Sequence, residues 1–269
     1  MQENKITYTG VLQKMKTELQ AQVQYYLDFP TDVLQVNLLL GKTISIDFQG
    51  YECLSCHEDK KIFRQGFCYD CFYQTPRAGD WIMKPELSKA HLDQEDRDLA
   101  YEKAVQLQPH IVYLANSSNI KVGVTRKTQI PTRWIDQGAH EAIKVVEVPN
   151  RYLAGITEVA LKAHVADKTN WRTMLKNELV DEDLEAKKQS LQQYLPTEVQ
   201  EYYLENEKET IINFPVLSYP EKLTSLNLAK TLNYEGELVG IKGQYLLFKD
   251  NTVFNVRAHE GYVINLSLL

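Results

Sequence analysis

Short runs in which apolar and polar residues alternate occupy both ends of this chain. Its middle repeats apolar residues every three or four positions instead. ITYTGVLQKM, VQYYLDF and TISIDFQGY carry β-branched and aromatic residues between turn-like breaks, so the opening predicts strands. Gly41-Lys42 punctuates the apolar NLLL before the third of them. Beyond residue 75 the chain is polar, with Pro76, Gly79 and Pro85 early, and DQEDRDLAYEKAVQL then has helical spacing. HIVYLA and NIKVGVT predict two short strands joined by a Ser/Asn turn, and Pro131 marks a helix start with Thr132 to Gln137 inside. AIKVVEVP predicts a strand and RYLAGITEVALKAHVA a helix. DEDLEAKKQSLQQYL and TEVQEYYLENEKE predict charged helices separated by Pro196. Thr210 to Thr231 is irregular. ELVGIKG, QYLLFKD, TVFNVRA and YVINLSL then return to strands, with Asp250-Asn251 as a hairpin turn.

Composition narrows the class. The 269 residues suffice for one large domain or a few small ones, and 43% hydrophobic with 25% charged residues is ordinary for a soluble globular chain. No run approaches the length of a membrane span, and MQENKITYTG lacks the apolar core of a signal peptide. The expectation is therefore a cytoplasmic protein without a membrane partner. Four cysteines in that reducing setting are not expected to form disulfides. The net charge of −6 argues against a generic polyanion binder. Its distribution adds a qualification: His110 to Lys176 holds ten Lys/Arg against five Asp/Glu, whereas Asn177 to Glu209 holds ten acids against three bases. The basic segment could bind a phosphate chain, or the two segments could neutralise each other.

Candidate chemistry enters first at CLSCHEDKKIFRQGFCYDC. Cys53 and Cys56 form one C-x2-C and Cys68 and Cys71 another, and these are all the cysteines of the chain. Two such turns can offer four thiolates to a tetrahedral ion, with structural Zn2+ the favoured occupant. The competing readings are an iron–sulfur centre, a redox dithiol and four unrelated buried cysteines. Four sulfur ligands leave no position for a reactive water. His57 could replace a ligand but fits an outer or exposed role better.

The second candidate is the stretch HIVYLANSSNIKVGVTRKTQIPTRWIDQG. Ile111-Val112-Tyr113, Lys121-Val122-Gly123, Thr125, Arg133 on the following helix and Glu158 on a later one resemble, in type and order, a diverged GIY-YIG nuclease core. Asn170 is a weaker match to the late asparagine of that family. Lys121 stands in place of a tyrosine, and Gln137 where a histidine is common. The resemblance covers about 111–171 and implies a short sheet with flanking helices. It also implies a catalytic set of Tyr113, Lys121, Arg133 and Glu158, with Glu158 holding Mg2+ or Mn2+. A tyrosine or lysine can move the proton, an arginine can match phosphate oxygens, and one carboxylate can seat the divalent ion. Arg126, Lys127, Trp134, Arg151, Asn170, Trp171 and Arg172 are the accompanying nucleic-acid-binding candidates. The two tryptophans could stack on bases or simply anchor packing.

The longer chain, including GIKGQYL and HEGY near its end, is similar to an uncharacterised bacterial zinc-ribbon family. No cysteine lies between Ala78 and His110, so a second cysteine site is not expected.

The resulting expectation is an α+β protein. Its segments are a β-rich 1–50, a zinc ribbon at 51–76, a polar linker with a helix at 77–108, and a GIY-YIG-like module at 109–176. Charged helices at 177–210 and a β-rich 211–269, open to pairing with 1–50, complete it. Three functions compete: a metal-dependent nuclease acting on DNA or structured RNA, a noncatalytic nucleic-acid or ribonucleoprotein binder, and a protein-interaction scaffold. The identity of any protein partner is left open.

Overall fold

A computed structural model describes residues 6–165 and 170–269 and shows a mixed α+β architecture with several sheets. Strands β1 (Thr7–Val11), β2 (Lys16–Glu18), β3 (Gln24–Phe29), β4 (Asp32–Gln35) and β5 (Thr43–Tyr51) come first. A small hairpin of β6 (Ile62–Arg64) and β7 (Phe67–Cys68) leads into helix α1 (Tyr69–Gln74). Helices α2 (Asp80–Met83) and α3 (Leu99–Gln106) precede β8 (His110–Asn116) and β9 (Ile120–Arg126). Then follow α4 (Thr132–Asp136), β10 (Glu141–Val148), α5 (Arg151–Lys162), α6 (Trp171–Leu175) and α7 (Leu184–Leu191). Strands β11 (Thr210–Ile211), β12 (Thr224–Ser225), β13 (Asn233–Lys242), β14 (Tyr245–Phe248), β15 (Thr252–Asn255) and β16 (Tyr262–Leu268) complete the chain.

These elements form two units. The first joins residues up to Tyr73 with Asn213–Leu269, and the second is Gln74–Ile212. In the first, the sheet runs β1-β16-β5-β13-β14-β15-β12, so strands from both ends of the chain are neighbours. Ile46 lies opposite Leu266 and Ile44 opposite Leu268. Ile44, Ile46, Ile264 and Leu266 share the core face, and the small Ser45 and Ser267 on the opposite face are also buried.

The second unit is organised by the sheet β11-β10-β8-β9. Val112, Leu114, Val122 and Ile143 meet Ala154 and Leu161 of α5 and Leu184 and Leu191 of α7 in one apolar cluster. Each such buried leucine contributes about 2 kcal/mol. Helix α5 starts where the Asn150 side chain accepts the Leu153 N–H at 2.9 Å. Gly155 lets that helix lie directly on the turn at Pro85–Leu87, because a Cβ there would sit 2.2 Å from the Glu86 nitrogen.

Several expected helices differ in extent, the one over 181–195 shortening to α7 and a 3-10 turn at Gln192–Tyr194. The one expected from Asp93 starts at Leu99, because Glu102 turns back to accept the N–H groups of Asp96, Arg97 and Asp98 at 3.0, 2.7 and 3.0 Å. TEVQEYYLENEKE forms only a 3-10 turn over Thr197–Tyr202. The chain then runs extended beside β10, with Tyr203 bridged to Val146 and the Leu204 N–H donating to Val145 at 2.9 Å. Strand pairing overrides helix propensity there. Helix α5 ends at Lys162, and Ala166, to which the helix was expected to run, lies outside the described residues.

Candidate functional site

The cysteine cluster is held by local turns. Cys53 donates its N–H to the Glu58 carbonyl at 3.0 Å, and the His57 N–H returns to the Cys53 carbonyl at 2.9 Å. At the β6–β7 turn Gly66 adopts φ +77°, and a Cβ there would strike the Leu54 Cδ1 at 2.3 Å, so both backbone and space require glycine. The four sulfurs of Cys53, Cys56, Cys68 and Cys71 all lie within 4.8 Å of one another. Tetrahedral Zn–S bonds of about 2.3 Å need sulfur separations of about 3.8 Å, so the donor set can hold a metal ion such as zinc. Burial raises the Cys53 thiol, yet backbone N–H groups of Cys56, Cys68 and Ser55 outweigh it and bring the group down to about 6. Thiolate is thereby favoured at the innermost ligand, where the Cys68 N–H lies 3.3 Å from the sulfur. His57 stands outside this set: it is exposed, and its Nδ1 is 3.1 Å from a Glu52 carboxylate oxygen.

The β8–β9 hairpin builds a different environment. Tyr113 pairs with Gly123 and Ala115 with Lys121, which puts Tyr113, Gly123 and Lys121 on one sheet face. The fully buried Tyr113 ring crosses Gly123: a Cβ on that glycine would be 2.6 Å from the phenol oxygen. Gln137, just past α4, bridges the phenol and a guanidinium. With its amide oxygen towards Arg133, it accepts from Nη2 at 3.2 Å and Nε at 3.3 Å while its nitrogen donates to the phenol at 2.9 Å. Burial pushes the Tyr113 phenol up, the Arg133 charge opposes that rise and the Glu158 charge adds to it. Lys121 is brought down to about 8 by burial and by Arg133. Arg151 falls to about 10, chiefly by burial, with Glu158 opposing and Arg133 and Arg126 reinforcing the fall. Glu158 is raised by burial against the counter-charges of Lys162 and Arg151.

Tyr113, Lys121, Arg133 and Glu158 thus belong to one electrostatically connected cluster. Lys121, Arg126, Arg133 and Arg151 supply more positive charge than Glu158 and Glu86 supply negative. Lys162, one helical turn after Glu158, sits 3.5 Å from its carboxylate. Gln137 and Lys162 were not singled out as site residues from sequence. The i, i+4 spacing of Glu158 and Lys162 was the available signal for the second.

The surrounding candidates fare unequally. Trp134 is 2% exposed and lies edge-on to Tyr113 with ring centres 5.9 Å apart, so of the two roles weighed for it this indole takes the packing one. The guanidinium of Arg151 donates to the Trp81 and Ile82 carbonyls at 3.0 and 2.8 Å, which hold it in place. Lys127 is exposed but paired with Glu147 at 2.6 Å. Asn170 caps α6 by accepting from the Arg172 and Thr173 N–H groups. The exposed Arg172 lies over the Trp171 ring at 4.3 Å, and Arg126 is half-buried. Among the described residues no helix is long and apolar enough to cross a membrane.

Nothing among the curated proteins or the solved structures matches the chain. The family model described as Protein of unknown function (DUF2797) matches residues 41–264, and the chain belongs to that family.

Proposed function

We propose that the protein binds nucleic acid, through a GIY-YIG-like module whose basic cluster grips a backbone phosphate, with a structural zinc ion in the cysteine ribbon. One observation carries this reading: the β8–β9 hairpin puts Lys121 on the sheet face of Tyr113 and Gly123, and the Gln137 amide ties the Arg133 guanidinium to that same phenol. A lysine and an arginine gathered around one phenol suit an anionic group in a low-dielectric setting. Lysine then acts as a point charge and arginine as a planar fork for the phosphate oxygens. Zinc supplies no chemistry here; it fixes the ribbon.

The test is salt-dependent binding of labelled DNA and structured RNA by the metal-loaded full chain. Arg133→Ala should weaken binding roughly 10- to 100-fold, as loss of a charged hydrogen bond implies, whereas Glu158→Ala should retain it. Binding that ignores ionic strength would overturn the reading.

Cleavage is the second reading, favoured by the shared electrostatics of Tyr113 and Glu158. It has Tyr113 or Lys121 moving the proton and Mg2+ or Mn2+ on Glu158. It ranks below binding for two physical reasons. The phenol is sealed from solvent, and the Lys162 ammonium stands beside the carboxylate a divalent ion would need. Intact labelled substrates after incubation with Mg2+ or Mn2+ would dispose of it.

A further inference from the structure

The cysteine-bearing hairpin carries a surface that neither reading above uses. Phe63 on β6 and Tyr69, Phe72 and Tyr73 on α1 form a continuous group of four rings. Phe63 lies 5.2 Å from Tyr69, 5.3 Å from Phe72 and 6.0 Å from Tyr73 between ring centres. Tyr69 and Tyr73 are 5.0 Å apart. Phe72 packs against the Cys53, Phe67 and Cys68 core, but the other three rings face outward: Tyr69 is 61% exposed, Tyr73 54% and Phe63 39%. Leaving that much aromatic area in water is unfavourable without a partner, and contiguous exposed patches of this kind mark binding surfaces.

Charge selects the partner. Phe63 is flanked in sequence by Lys61 and Arg64, both exposed, and the Arg64 guanidinium lies 5.2 Å above the Phe63 ring. Neither cation forms an ion pair among the described residues, whereas nearby Lys60 is taken up by Glu58 at 2.7 Å. Asp70, the carboxylate nearest these rings in the chain, lies in the first turn of α1, where the helix dipole accommodates it. The patch contains aromatic faces and free cations but no leucine, valine or methionine. Flat π-faces joined by phosphates are met by rings and cations.

We infer that the Phe63–Tyr69–Phe72–Tyr73 patch, with Lys61 and Arg64, binds single-stranded nucleic acid by stacking bases on the exposed rings. The inference deepens the binding reading above by naming the strand form, and it rests on that reading. A single strand is required because duplex bases do not offer their faces.

The experiment uses fluorescence anisotropy on the full zinc-loaded chain with labelled dT20, a matching RNA and a duplex. Tyr69→Ala/Tyr73→Ala should weaken dT20 binding by at least about 10-fold, and Tyr69→Phe/Tyr73→Phe should bind like the native chain. Lys61→Gln/Arg64→Gln should flatten the dependence of log affinity on log salt by about 1.4, at about 0.7 for each phosphate no longer neutralised. Zinc content measured on each variant separates a lost surface from a lost ribbon. If Arg133→Ala abolishes binding while Tyr69→Ala/Tyr73→Ala leaves it unchanged, the patch is wrong and the basic-cluster reading stands. If no oligonucleotide binds, both fall. If a duplex binds as tightly as dT20 and equally to the variants, stacking is overturned, and capture of a protein through the patch would replace it.

Discussion

The cysteine cluster and the centre around Tyr113 are both made of buried polar groups, but only the first completes itself. Its four sulfurs converge from one short stretch onto a point that a single ion can occupy. The Tyr113 centre draws its residues from β8, β9, α4 and α5 and gathers several cations around Tyr113 and Glu158. A saturated donor set specifies its ligand by geometry. A cluster of cations specifies only the sign of what it receives. The first region therefore has a structural reading and the second a functional one.

Metal removal is the strongest way to break the comparison. Cys68→Ser or chelation should empty the ribbon and unfold it locally, because metal binding and folding are coupled at such sites. Hydrogen exchange should show lost protection over 53–73. The second unit, whose apolar cluster contains none of these residues, should keep its protection. Loss of protection at Val112 and Leu114 as well would show that the two regions are not energetically separate.

Lys121→Met comes next, and Lys242 is its internal control. Both lysines are buried and brought down to about 8, but Lys242 owes its depression to burial alone, against the Phe214 and Tyr219 rings at 5.4 Å. Below about pH 8 Lys121 is protonated in the folded and unfolded chains alike, so the full penalty of the buried charge is present. Between about 8 and 10.5 the folded chain loses its proton first, and stability rises with pH. Lys121→Met should therefore stabilise the protein by up to about 3 kcal/mol near pH 7, with the gain fading above about pH 10. Denaturation of both proteins across that range is the check. The same variant should bind nucleic acid more weakly. Bound oligonucleotide should raise the Lys121 value and leave Lys242 unchanged, and an equal response of both lysines would remove the anion-site argument.

Gly123→Ala probes the packing beneath this charge. The new methyl would meet the Tyr113 phenol at 2.6 Å and its Cζ at 2.7 Å, so the ring must move and its hydrogen bond with Gln137 must loosen. Overpacking of this kind costs about 2 kcal/mol. Thermal unfolding measures it, and Gly123→Ala/Tyr113→Leu should recover much of the loss.

The sequence is unequally informative about the two regions for the same reason that they differ. Cys53, Cys56, Cys68 and Cys71 are legible because local turns bring them together, and turn chemistry is written in adjacent residues. Strands such as β8, and helix α5 up to its end, follow from periodicity. What escapes is set by tertiary contact. Trp134 beside Arg133 reads either as a packing anchor or as a stacking platform until its burial against Tyr113 is known. Gln137 reads as a departure from a motif, yet its amide joins phenol to guanidinium. The stretch 203–209 reads as helix because the contact of Tyr203 and Leu204 with β10 leaves no local signature.

The smallest expected change in stability gives the sharpest functional result. Lys162 is partly exposed, and its pair with Glu158 spans one helical turn, so Lys162→Gln should alter stability by no more than about 0.5 kcal/mol. Its effect on ion binding should be larger in kind. With the ammonium gone, the Glu158 carboxylate faces Mg2+ or Mn2+ without a resident competitor. Mn2+ binding, followed by electron paramagnetic resonance in the zinc-loaded chain, separates the readings. If the variant gains a Mn2+ site that Glu158→Gln abolishes, and labelled DNA or RNA is then cut, the module retains phosphodiesterase chemistry held in check by one lysine. If no ion binds and oligonucleotide affinity is unchanged, Glu158 serves the electrostatic balance of the cluster, and the Tyr113 centre is a phosphate grip.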